Sequence, residues 1–173
     1  MKPMVRVETV LDSWRTVRQD TAEAVEDFAG SDLEYKPVPE LATFREIAMH
    51  ILDAGSGLAG ILLDGEENLA SPQFRESLKK YASNLPAGVD AATLAARLRT
   101  SLDELAPRLA EQPPEFFEHV ITRFDGTRVT RLEMLQFVKE HELTHRAQLF
   151  MYLRLNHIVP CTTRRRLAKQ GGR

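Results

Sequence analysis

A chain of 173 residues, 43% hydrophobic and 28% charged, has the size and balance of one soluble globular domain with a real core. Its formal net charge of −2 gives no general attraction to nucleic acid, and its single cysteine, Cys161, excludes an internal disulfide and fits a reducing cytoplasm. Met1 to Asp20 is charged throughout with no apolar run, so no secretory signal is expected. The most apolar stretch, Ile51 to Leu63, is interrupted by Asp53, Gly55, Ser56, Gly57 and Gly60, so no membrane partner is expected.

Val7, Val10, Leu11, Trp14, Val17, Thr21, Val25 and Phe28 recur at helical spacing and predict a long first helix that stops near Gly30. Glu34 to Glu40, with Pro37 and Pro39, reads as a connection. Thr43 and Glu46 form a capping box that opens a second helix, with Ile47, His50, Ile51, Ala54, Leu58, Ile61 and Leu62 on one stripe. Ala54, Gly55 and Gly57 keep its middle turns thin, which permits close packing or leaves room beside a polar group. Ser71-Pro72 starts a short helix through Phe74, Leu78 and Tyr81. Asp90 caps a third long helix carrying Leu94, Leu98, Ser101, Leu102, Leu105 and Leu109, closed by Pro113-Pro114. Phe116 to Thr130, where Phe117, Val120, Ile121, Phe124 and Val129 flank Asp125-Gly126, predicts a small hairpin with a type I′ turn. A second capping box, Thr130 and Glu133, opens the last helix, whose stripe runs Met134, Val138, His141, His145, Gln148, Leu149 and Tyr152. The expected fold is all-α: a four-helix bundle with a short extra helix and a hairpin-like connection before the last helix. Long connections after the second and third main helices predict crossovers or insertions there rather than a simple up-down series. Residues 1–160 are the expected domain. Residues 161–173, with Arg164, Arg165, Arg166, Lys169 and Arg173 and no acid, are expected to be a solvated basic tail, with Cys161 a bystander thiol. No aromatic residue is interleaved with these arginines, so nucleic acid is not an expected partner.

Of five histidines, His50, His141 and His145 fall on apolar stripes. His141 and His145 are one helical turn apart on one face, a spacing that lets both chelate a single ion. Packed imidazoles lack partners for both ring nitrogens unless an ion or water lies between them. Three of them on two helices point to a divalent metal, Zn²⁺, Ni²⁺ or Fe²⁺, with at least one coordination position open. Cys161 lies roughly 20 Å or more along the axis from His145 and is a poor fourth ligand. His157 reads as a favourable charge at a helix C-terminus, and His119 as a solvated hairpin residue.

His141-Glu142-Leu143-Thr144-His145 also spells the zinc-protease signature. The context does not support it. The extended form of that motif requires glycine at position 148 and histidine at 151, where this chain has Gln148 and Met151. The other form requires a downstream glutamate, and no acidic residue follows Glu142. Glu142 is therefore expected beside the ligands, in their surroundings, rather than as a general base.

The helix Thr43-Phe44-Arg45-Glu46-Ile47-Ala48-Met49-His50, with the late His141-x-x-x-His145-Arg146-Ala147-Gln148, resembles the DinB/YfiT-like superfamily of metal-dependent enzymes over about Val5 to Pro160. Ala147 stands where that family often has glycine. The resemblance implies a four-helix bundle, often a homodimer, with a divalent metal on His50, His141 and His145. It also implies chemistry of the kind found in thiol transferases using bacillithiol or mycothiol, and in a thiol-dependent isomerase. The expected function is a cytoplasmic metal-dependent enzyme that transfers a low-molecular-weight thiol to an electrophilic small molecule. Two rivals stand beside it: a non-catalytic metal- or ligand-binding stress protein, and a metal-dependent hydrolase with Glu142 or Glu46 as the nearest acid or base.

Overall fold

Three long helices begin where a polar side chain satisfies an orphan backbone N–H. Thr43 Oγ1 accepts from Glu46 N (3.1 Å) while Glu46 Oε2 accepts from Thr43 N (2.6 Å), and Thr130 and Glu133 repeat the exchange at 3.1 and 2.7 Å. Asp90 Oδ1 accepts from Thr93 N at 2.7 Å. Each such cap is worth about 1 kcal/mol. The computed structural model describes residues 5–171, so Arg173 of the basic segment lies outside the described residues. Among them the elements are α1 (Val7–Asp27), α2 (Phe44–Leu63), α3 (Phe74–Lys79), α4 (Ala91–Ala110), α5 (Pro114–Glu118), β1 (Val120–Thr122), β2 (Arg128–Thr130), α6 (Arg131–Leu155) and α7 (Cys161–Gly171).

The long helices α1, α2, α4 and α6 form the bundle. Both α1 and α2 pack against α4 and α6, so α1 faces α2 across one diagonal and α4 faces α6 across the other. The diagonal crossings are therefore made by residues 28–43 and by the α5–hairpin segment. The connection between α2 and α4 joins neighbours, so of the crossover or insertion expected there it is the insertion. It is long because α3 folds back on α2, where a Cβ on Gly57 would stand 2.7 Å from Leu78 and one on Gly60 2.5 Å from Tyr81.

The core has two apolar halves. One gathers Phe28, Phe44, Ile51, Leu94, Leu98 and Leu153; the other gathers Leu11, Trp14, Leu62, Leu102, Leu109 and Val138. On α1, α4 and α6 the boundary between them falls at buried polar residues, namely Arg18 and Thr21, Ser101, and Glu142. On α2 it falls at Gly55.

Three expectations need correction. α2 is long and apolar enough to cross a membrane by length and composition, because it begins at Phe44 rather than Ile51; most of it is buried against the bundle. The hairpin pairs Val120 with Thr130 and Thr122 with Arg128, but its turn is not type I′. Phe124 and Asp125 lack positive φ; Gly126 alone is left-handed (φ +83°), following a turn closed by Gly126 N donating to Arg123 O at 2.8 Å. The basic segment is also not a loose tail: residues 161–171 form α7, docked on α1. Arg164 pairs with Asp27 (2.6 Å), Arg165 pairs with Asp20 and lies 3.5 Å from Glu23, and Cys161 is buried at the α7 N-terminus.

Candidate metal centre

The seam between α2 and α6 carries His50 from one helix and His141 and His145 from the other. His50 Nε2 and His145 Nε2 each lie 3.2 Å from His141 Nε2, and the three candidate ligand atoms all fall within 4.8 Å of one another. A tetrahedral ion with nitrogens at 2.0–2.1 Å sets neighbouring nitrogens about 3.3 Å apart. Three Nε2 atoms converging on one point cannot all be satisfied by hydrogen bonds among themselves, whereas one cation satisfies three lone pairs together. The donor set thus fits a divalent ion.

Gln148, one turn beyond His145 on α6, fixes a tautomer. Its Oε1 lies 2.8 Å from His145 Nδ1 and can only accept, so Nδ1 donates and the Nε2 lone pair faces the cluster. Burial, reinforced by the neighbouring imidazoles, holds the His141 pKa down at about 4 against the usual 6.5. His50 is lowered by burial and by His145, partly opposed by Asp53 one turn along α2. Both rings are therefore held in the neutral form that a metal requires. The cluster is less enclosed than its apolar stripes suggest: His141 and His145 are half-buried and His50 is exposed. It lies at the rim of the seam, open to solvent.

Two apolar surfaces flank it. Phe137 lies 6.2 Å from His141, ring centre to ring centre, with Arg123 stacked over Phe137 and ion-paired to Asp125. On the other side a cleft of about 420 Å³ opens onto His50 and His145, walled by Leu41, Ala42, Ile47, Met151 and Tyr152. Leu41 and the outward-facing Met151 are parts of the site that helical periodicity does not mark.

Glu142 lies elsewhere in its chemistry. It is 1% exposed and points into the bundle, away from the solvent-facing cluster. Trp14 Nε1 donates to it at 2.6 Å, Arg18 donates through Nε and Nη2 at 2.8 Å each, and Thr21 Oγ1 donates at 3.0 Å. Arg18 Nη1 then donates to Leu98 O and Ser101 Oγ on α4. A carboxylate with both oxygens so engaged fixes the rotation of α6. Gly55 belongs to this arrangement, because a Cβ there would stand 2.6 Å from Arg18 Nη2. Glu46 is occupied by its own N-cap. Cys161 lies against Asp20 and Arg165 rather than the histidines, and burial, with Asp20 and Glu23 nearby, pushes its thiol up to about 11. His119 pairs with Glu67 at 2.8 Å, and His157 ends α6 with φ +62°.

The fold is a four-helix bundle in which one helix seam brings together three histidines that could hold a metal ion. Residues 13–149 match the model of the DinB superfamily, and the chain belongs to that superfamily. It is 26% identical over 151 residues to the uncharacterized protein YjoA of Bacillus subtilis strain 168, covering 87% of this chain and 91% of that protein. The crystal structure of YjoA, described as DinB-like, superposes with a TM-score of 0.65 at 24% identity, covering 86% of this chain and 92% of the other. The mycothiol-dependent maleylpyruvate isomerase superposes with a TM-score of 0.60 at 16% identity, covering 84% of this chain and 61% of the isomerase, a likeness of fold.

Proposed function

We propose that His50, His141 and His145 bind a divalent metal ion and that the protein transfers a low-molecular-weight thiol to an electrophilic small molecule. The observation that carries this reading is the convergence of three imidazole nitrogens beside an open apolar cleft, with Gln148 fixing one tautomer. When bound, a divalent ion with an open position lowers the pKa of a thiol or water that reaches it. The chain's own residues supply the rest: the imidazoles offer neutral donors, and the cleft beside them takes the electrophile out of water. The fold shared with a mycothiol-dependent isomerase supports a thiol as the co-substrate.

Hydrolysis is the weaker reading. A carboxylate free to take a proton from water would favour it, and both carboxylates considered for that role, Glu142 and Glu46, are engaged by the fold. A role confined to holding the metal gives no use for the cleft, whereas a non-catalytic protein that binds a small ligand there would fill it without turnover. Metal content of the purified protein and of His50→Ala, His141→Ala and His145→Ala tests the site; unchanged metal in all three overturns it. Conjugation rates with thiol–electrophile pairs on metal-loaded protein test the reaction, which fails if no pair exceeds the metal-free control.

A further inference from the structure

We infer that Arg18 and Glu142 are positioning residues for the metal site, a buried ion pair that holds His141 and His145 toward His50 and so sets the affinity for the ion from inside the bundle; this rests on the metal binding proposed above for its consequence, though not for the placement of the rings. Among the described residues of α6, Glu142 is the one buried side chain between Val138 and Leu149. That stretch, roughly three turns long, carries His141, His145 and Gln148. Its apolar side chains, Leu143 and Ala147, face solvent, so no apolar contact anchors it to the core.

The anchors are polar, and they come from α1. Trp14, Arg18 and Thr21 hold Glu142, and Asp20 pairs with Arg146 at 2.8 Å nearer the surface. Arg18 also donates to Leu98 O and Ser101 Oγ on α4 and fills the space that a Cβ on Gly55 of α2 would take. One guanidinium thus refers the histidine-bearing stretch to the three other long helices. Apolar contacts are non-directional, so they resist separation of two helices but let one turn about its axis at little cost. A planar fork of charge-assisted hydrogen bonds to a carboxylate fixes one angle. Glu142 follows His141 by about 100° around the helix. A turn of α6 that broke the fork would swing His141 Nε2 away from His50 Nε2, now 3.2 Å from it, and carry His145 with it. Arg18 therefore acts on the ligands through Glu142, without touching them.

The test separates position from stability in the full chain. Arg18→Met combined with Glu142→Leu replaces the pair by apolar groups, an exchange that buried ion pairs often tolerate without loss of stability. Arg18→Lys keeps the charge and loses the fork, and it decides the matter if the double variant does not fold. Leu109→Ala, at the C-terminal end of α4, is the control: it lowers stability without touching the pair. Each is checked for a cooperative thermal transition. Both pair variants should bind zinc at least about tenfold more weakly than wild type in competition with a metal-binding dye, and Leu109→Ala should bind it as wild type does. Wild-type zinc affinity in a folded pair variant overturns the inference, as does an equal loss in Leu109→Ala. The second readout needs no ion: the nuclear Overhauser contact between the rings of His50 and His141, whose centres stand 4.9 Å apart, should weaken in both pair variants. A wild type that takes up no zinc removes the metal reading instead. The ring contact then decides, and its absence from the wild type or its persistence in Arg18→Lys overturns the inference.

Discussion

Gln148→Ala should weaken metal binding about 10- to 100-fold, because it releases the Nδ1 hydrogen bond that aims the His145 lone pair. Competition with a metal-binding dye measures this, and the helical CD spectrum should not change. The His141 ring makes a pH prediction for the ion-free protein. Its folded pKa of about 4 lies below the ordinary 6.5, so the unfolded chain binds the proton first as pH falls. This contribution to stability is complete above pH about 6.5, falls away between about 6.5 and 4, and changes no further below. Denaturant melts of wild type against His141→Ala in chelator, from pH 8 to 4, should show the difference shrinking only in that window. Glu142→Ala leaves Arg18 buried without its partner and should cost about 3–5 kcal/mol by urea titration. The histidine triad was legible in the sequence because two periodic stripes carried it. The partners of Glu142 were not, since Trp14 and Thr21 pass as ordinary members of an apolar stripe. The available signal was Arg18, a charged residue four positions after Trp14 on a face that is otherwise apolar.

Helix starts were readable wherever a local pair fixes them: both capping boxes and the Asp90 cap stand where the sequence puts them. Helices held by distant contacts were not. α7 has no apolar stripe of its own, and its place depends on buried Cys161 and on arginines meeting Asp20 and Asp27 of α1. α5 is one short turn-and-a-bit after Pro113 and carries no periodicity at all. Docking of α7 has a chemical readout. Cys161 should resist a thiol reagent such as DTNB in the native protein, since the thiol is both buried and poorly ionised. Asp20→Ala removes the shared partner of Arg146 and Arg165 and should speed that labelling by loosening α7. Arg165→Ala removes a half-exposed cation and should change stability by no more than about 1 kcal/mol.

At the scale of the molecule, helical class and element order follow from periodicity, but the ring of neighbours does not. Which helices face each other diagonally rests on contacts between residues far apart in the chain, such as Arg18 of α1 reaching Gly55 of α2 across the diagonal. The same separation gives the His50–His141 contact a second meaning. These residues stand 91 positions apart, and an ion gripping both would act as a cross-link that closes a long loop. Such a clasp removes freedom mainly from the unfolded chain. Unfolding of metal-loaded protein should therefore be slow, and a chelator that strips the ion should hasten it, so that the lifetime of the fold and the occupancy of the site become one quantity.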